Sequence, residues 1–150
     1  MPVSSESTSV EARPQKIRRI AIPAAIVLVI VFTFVAVQLK NTPTGAYFRV
    51  SDQVAMVGLG ILLALGVLRF TFPRLYADAD KVEVRNIIGT TRYEWDTIQG
   101  FSFPDGAPWA RLELPDDEYA PVMAIQANDG DYAIKAMRDL RALQRSVEAD

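Results

Sequence analysis

With no histidine and no cysteine anywhere in its 150 residues, this chain lacks the commonest general base, the thiol nucleophile and the ligands of Cys/His zinc sites. Chemistry would have to come from carboxylates and hydroxyls. Asp78 and Asp80 stand two apart and are the nearest approach to a paired-carboxylate or cation site. A calcium loop needs further oxygen ligands at fixed spacing, and none follow. Asp116, Asp117 and Glu118 come after Pro115 and read as a solvated acidic turn. Asp96, beside Trp95, reads as a cap on the connection to Ile98. Thr97 and Ser102 have no imidazole to activate them, which excludes a Ser–His–Asp arrangement. Gly58-Leu59-Gly60 resembles a scrap of phosphate loop, but it lies in an apolar run with no preceding strand. The sequence therefore assigns no catalytic residue, no metal ligand and no cofactor.

The elements that would position any function begin with Ile20–Leu39, which contains no charged residue. At about 1.5 Å per residue a helix of this length crosses a hydrocarbon core of about 30 Å. Pro23 falls in the first turn of this span, where its missing N–H costs little. The run is longer than a signal-peptide core of about 7–15 residues, so the segment is expected to be retained. Val54–Phe72 is a second span, with Arg69 near its end. Small residues four apart, Ala21 with Ala25 and Gly60 with Ala64, let membrane helices approach closely, either one another or another membrane protein.

Positive charge flanks the pair. Arg13, Lys16, Arg18 and Arg19 precede the first span, and Arg69, Arg74, Lys81 and Arg85 follow the second. The connection, residues 40–53, carries only Lys40 and Arg49 against Asp52. Basic residues concentrate on the cytoplasmic side, so a two-pass cell-membrane protein with both termini cytoplasmic is expected. Residues 1–19 are expected to be a disordered tail with a basic end. The net charge of −2 gives no general attraction to nucleic acid.

From Leu75 the pattern alternates with period two. Lys81–Arg85, Thr91–Trp95, Ile98–Phe103, Trp109–Leu114 and Tyr119–Gln126 read as strands, with a short one at Leu75–Ala77 and Gly100 as a bulge. Asp131 is placed to cap a helix over Tyr132–Glu148, whose stripe is Ala133, Met137, Leu140, Leu143 and Val147. Lys135, Arg138, Arg141 and Arg145 fall outside the stripe. They form a basic face for solvent, head groups or a partner. The expected class is α+β: a two-helix transmembrane hairpin, then antiparallel strands closed by one helix over residues 73–150.

Two spans, a meander and a closing helix resemble the small bacterial membrane proteins that carry a pleckstrin-homology (PH)-like domain. The nearest likeness is to the actinobacterial low-molecular-weight antigen group. The likeness is carried by Lys81–Asn86, Arg92-Tyr93-Glu94-Trp95-Asp96-Thr97-Ile98, Trp109–Leu114 and the terminal helix. It implies a PH-like β-barrel or strongly bent sheet plugged by the C-terminal helix, and no agreed activity. The Asn86–Thr91 turn holds no Lys or Arg, unlike the basic loop with which eukaryotic lipid-binding PH domains grip phosphoinositides. The reading that follows is a membrane protein, no enzyme, whose cytoplasmic domain binds a protein partner or lipid head groups. An adaptor subunit of a larger membrane assembly is the alternative. An enzyme acting on lipid or envelope precursors ranks last.

Overall fold

The computed structural model describes residues 8–150 apart from Thr44 and Ala46. The first seven residues of the expected tail lie outside that range. The chain forms two compact units. One is Ile17–Thr71; the other joins the segment ending at Lys16 to Phe72–Asp150.

The first unit is a helical hairpin. Helix α1 spans Lys16–Asn41 and helix α2 spans Val50–Arg69. Both are long and apolar enough to cross a membrane. Because α1 starts at Lys16 and not Ile20, Pro23 sits inside the helix and not in its first turn. Its missing N–H leaves the Arg19 carbonyl without its usual i+4 donor. At the start of α2 the Arg49 backbone N–H donates to the Asp52 carboxylate at 2.9 Å. Ala21, Ala25 and Ala36 of α1 and Gly60 and Ala64 of α2 are buried. Gly60 lies directly against Phe32: a Cβ built on it would sit 2.6 Å from the Phe32 Cβ. That contact is internal to the hairpin.

Among its described residues the second unit holds seven strands and an α-helix. Strands β1 (Val10–Ala12), β2 (Arg74–Ala77), β3 (Val82–Arg85) and β4 (Thr90–Tyr93) form one antiparallel sheet in that order. Strands β5 (Gly100–Ser102), β6 (Trp109–Glu113) and β7 (Tyr119–Gln126) form a second. Helix α3 covers Asp131–Glu148. The expected barrel is not closed. Between β4 and β5 the chain makes a 3₁₀ turn at Trp95–Thr97, which breaks the ladder. Trp95 turns inward there. Its indole N–H donates to the Asp78 carbonyl at 2.8 Å, and its ring meets Phe101 edge-on at 6.2 Å.

Both sheets and α3 share one core, with Leu75, Val82, Leu112, Val122, Ile125 and Leu140 fully buried. Asn86 ties the sheets together through its amide. Nδ2 donates to the Pro121 carbonyl at 2.8 Å, and the Met123 N–H donates to Oδ1 at 3.2 Å.

Three local expectations change. The bulge falls at Trp109/Ala110 and not at Gly100, which pairs regularly with Glu113. Gly130 is the N-cap of α3 and Asp131 its first residue, with no side-chain cap. Its φ of +55° suits glycine there. The largest change is β1. Residues read as tail pair with β2, Val10 opposite Ala77 and Ala12 opposite Leu75. Strand alternation turns Val10 and Ala12 into the core and Glu11 outward. Pro14 and Pro73, which bracket the hairpin in sequence, are both fully buried.

Glu11 lies between two guanidiniums: Oε1 is 2.7 Å from Arg13 Nε and Oε2 is 3.0 Å from Arg74 Nη2. The hydrogen bond from Arg13 is the largest influence; it outweighs the opposing effect of burial and, with the weaker hydrogen bond from Arg74, holds the carboxyl below the usual glutamate range. A carboxyl lowered on folding stabilises the fold above its unfolded pKa, and that stability is lost as pH falls through the folded value. The side chain is 41% exposed, so solvent screening holds the gain below about 1 kcal/mol. Glu11→Gln is therefore expected to be slightly less stable than wild type at pH 7. The two melting curves should converge as the pH is taken down past about 4.

Candidate functional site

Of the carboxylates that could do chemistry, most are held by turns. Asp78 Oδ1 accepts the backbone N–H groups of Asp80 (2.9 Å) and Lys81 (3.0 Å), an Asx-type turn into β3. Asp116 and Asp117 both have positive φ, +60° and +57°, and shape the reversal between β6 and β7. Asp is one of the few side chains that tolerate this region. Asp96 accepts from the Thr97 hydroxyl at 3.2 Å, and the 3₁₀ turn has no side-chain cap. The expected cap on the Ile98 connection is thus replaced by a neighbour contact. Ser102 donates to Glu113 across the β5–β6 pair. The structure does not bring these groups to one place. Among the described residues no group of three His, Cys, Asp or Glu could hold a metal ion.

The sequence passed over Asp129, which is buried. It lies in the 3₁₀ turn Ala127–Asp129 between β7 and α3. Its carboxylate accepts the Gln15 N–H at 3.0 Å and the Lys16 N–H at 2.8 Å. It therefore caps α1 from 113 residues away, a span over which no local sequence signal operates. A negative charge at a helix N-terminus is favourable, and a cap contributes about 0.5–2 kcal/mol. Asp129→Ala is expected to lower stability by about 1–2 kcal/mol, with Asp129→Asn losing less because one acceptor remains. Unfolding of the full chain in detergent, followed by near-ultraviolet signals from Trp95 and Trp109, measures both.

Beside this turn opens a groove of about 640 Å³. Its floor is apolar, from Phe103, Ala133, Ile134 and Met137; its rim is Arg138, Arg141 and Arg145. Ile134 is 58% exposed. The arginines recur at i, i+3 and i+7, so α3 aligns them along one face. Arg141 Nη2 donates to the Phe101 carbonyl at 3.1 Å, and Arg145 Nε to the Arg141 carbonyl at 3.2 Å. Elsewhere Arg13, Arg74, Arg92 and Lys135 sit on carboxylates. Among the described residues none of the three groove arginines does so. The groove thus combines uncompensated positive charge with an apolar floor. The expected basic face is present. Lys135, included in it, pairs instead with Asp139 at 2.6 Å.

Residues 72–143 match the bacterial PH domain family. Uncharacterized protein Rv1417 of Mycobacterium tuberculosis is 41% identical over 150 residues, covering all of this chain and 97% of the relative. Uncharacterized protein Mb1452 of Mycobacterium bovis matches to the same extent. The chain belongs to this family of bacterial PH-domain proteins. The match to these relatives runs the full length of this chain, through the helical hairpin as well as the PH-like domain. No solved structure gives a significant match. Most of the residues that line the α3 groove lie within the matched segment.

Proposed function

We propose that this chain is an integral membrane protein whose PH-like domain is a non-catalytic binding module facing the cytoplasm, with the α3 groove as its binding surface. The observation that carries the reading is the pairing of β1 with β2. These strands lie on either side of the hairpin in sequence, so the chain leaves one folded domain, runs out and back, and rejoins the same domain. A two-pass anchor with both ends on one side is the arrangement that satisfies this if α1 and α2 cross a bilayer. The basic residues at both flanks favour the cytoplasm as that side. A binding role, and not catalysis, is favoured because Asp78, Asp116 and Asp117 are committed to turns and no histidine or cysteine is present.

The adaptor reading draws its motive from Gly60 and Ala64. Gly60 already packs on Phe32 inside the hairpin, which removes much of that motive. The finer likeness to the low-molecular-weight antigen group rests on Lys81–Asn86, Arg92–Ile98, Trp109–Leu114 and the terminal helix.

The test uses the natural absence of cysteine. Tyr47→Cys and Asp150→Cys are made separately in the full chain. An impermeant thiol reagent applied to intact cells should label position 47, and position 150 only after permeabilisation. The chain should also stay with membranes in alkaline carbonate. Labelling of position 150 in intact cells, or release by carbonate, would overturn the reading.

A further inference from the structure

We propose that the α3 groove takes an anionic phospholipid, its phosphate held by Arg138 and Arg145 and an acyl chain laid on Phe103, Ile134 and Met137. The assignment rests on the reading of the chain as a membrane-anchored binding module.

Three observations lead to this chemistry. The first is the pairing of opposites in one groove. An exposed isoleucine on an apolar floor suits a hydrocarbon chain, and arginines without carboxylate partners suit a phosphate. Guanidinium groups bind phosphate in a forked, charge-assisted geometry that water competes with poorly once the site is covered. An ordinary soluble anion would leave the floor wet, and an uncharged chain would leave the rim uncompensated.

The second observation is spacing. Arg138 and Arg145 are seven residues apart, two helical turns or about 10.5 Å along α3. The groove between them holds about 640 Å³. That suits one headgroup with part of one chain.

The third is tethering. Ala127 and Gly130 edge the groove. Asp129 between them holds the Lys16 N–H, the residue at which the chain enters α1. If the chain is anchored in a bilayer, tethering keeps the local lipid concentration high. An acidic peptide shares the charge but gains nothing from that tethering.

The experiment is native mass spectrometry of the full chain in a non-ionic detergent. It is titrated with dioctanoyl-phosphatidylglycerol, dioctanoyl-phosphatidylcholine and glycerol 3-phosphate. One phosphatidylglycerol per chain should bind saturably, the choline lipid at least tenfold more weakly. Glycerol 3-phosphate, a head without a tail, should leave no adduct. The double variant Arg138→Gln/Arg145→Gln should weaken phosphatidylglycerol at least tenfold, and Ile134→Asp several-fold, with near-ultraviolet circular dichroism unchanged. Arg141 is left in place because it holds the Phe101 carbonyl. Equal binding of both lipids, binding by the head alone, or affinity indifferent to the groove variants would overturn the proposal.

A photo-crosslinking residue at position 134, used in native membranes, separates the two levels. A lipid adduct supports the proposal. A protein adduct without lipid binding overturns the lipid and leaves the binding-module reading standing. No adduct of either kind, with no lipid binding, overturns both.

Discussion

Gly60→Ala is expected to force the hairpin apart, at a cost of about 1–3 kcal/mol, although alanine is the better helix former. The new Cβ would stand 2.6 Å from the Cβ of Phe32. Both atoms are fixed to their backbones, so no rotamer change relieves the contact and the helices must move. Membrane helices are held by close packing and not by hydrophobic burial against one another, so a separated seam has little to restore it. Gly60→Leu adds three further heavy atoms and should separate the helices outright. The partner atom makes the test sharp. Phe32→Ala keeps the offending Cβ, so Gly60→Ala should remain costly in that background. Phe32→Gly removes it, and there Gly60→Ala should cost close to nothing. Gly66 is the control: nothing lies within 4 Å of a Cβ placed on it. Gly66→Ala should be neutral or gain up to about 1 kcal/mol from helix propensity. Spin labels on Val37→Cys and Val54→Cys, which edge one cavity in the hairpin, report the spacing between the helices. An unchanged label distance in Gly60→Leu, with altered migration on native gels, would instead assign Gly60 to contact with another protein.

How much of this was legible in the sequence depends on the range of the interaction. The hairpin was visible because an uncharged run of this length has few stable fates. Strands β2 to β7 were visible because period-two alternation and turn residues act within a few positions. The α3 stripe was equally plain, and the arginines beside it were identifiable before their groove was. The readings that changed depend on distant partners. Val10–Ala12 is too short and too polar in its surroundings to announce a strand; it exists because β2, over sixty residues away, offers an edge. Asp129 gives no local signal, because the N–H groups it caps lie at Gln15 and Lys16. The barrel expected from the family likeness is interrupted by the 3₁₀ turn at Trp95–Thr97, where the indole bonds to the distant Asp78 carbonyl. A pattern of residue types does not encode that choice. The groove itself is a property of packing: Phe103 comes from beyond β5, and Met137 and Arg138 from α3.

Ala12→Glu should detach β1 and, with it, the structural link between the two flanks of the hairpin. Ala12 is fully buried, opposite Leu75 in the register. A carboxylate there has no partner. Burial raises the pKa of an acid by up to about 3–5 units, so at pH 7 this glutamate would have to be buried protonated, at a cost of about 3–4 kcal/mol. That exceeds what a three-residue edge strand is expected to contribute, so the strand peels away before the acid is buried. Its departure uncovers the backbone edge of β2 and the core side of Leu75 and Ala77, both fully buried in the native domain. Hydrogen exchange read on peptides covering Arg74–Ala77 should therefore accelerate at least tenfold, while β6 and β7 keep their protection. Glu11→Ala, one residue earlier on the outward face, should leave exchange in β2 nearly unchanged. Period two alone places one acid in water and the other in oil, so the contrast between neighbours tests the register as well as the existence of β1. Equal protection of β2 in Ala12→Glu and wild type would mean that β1 is no part of the sheet. The same-side argument for the two flanks would then lose its structural support.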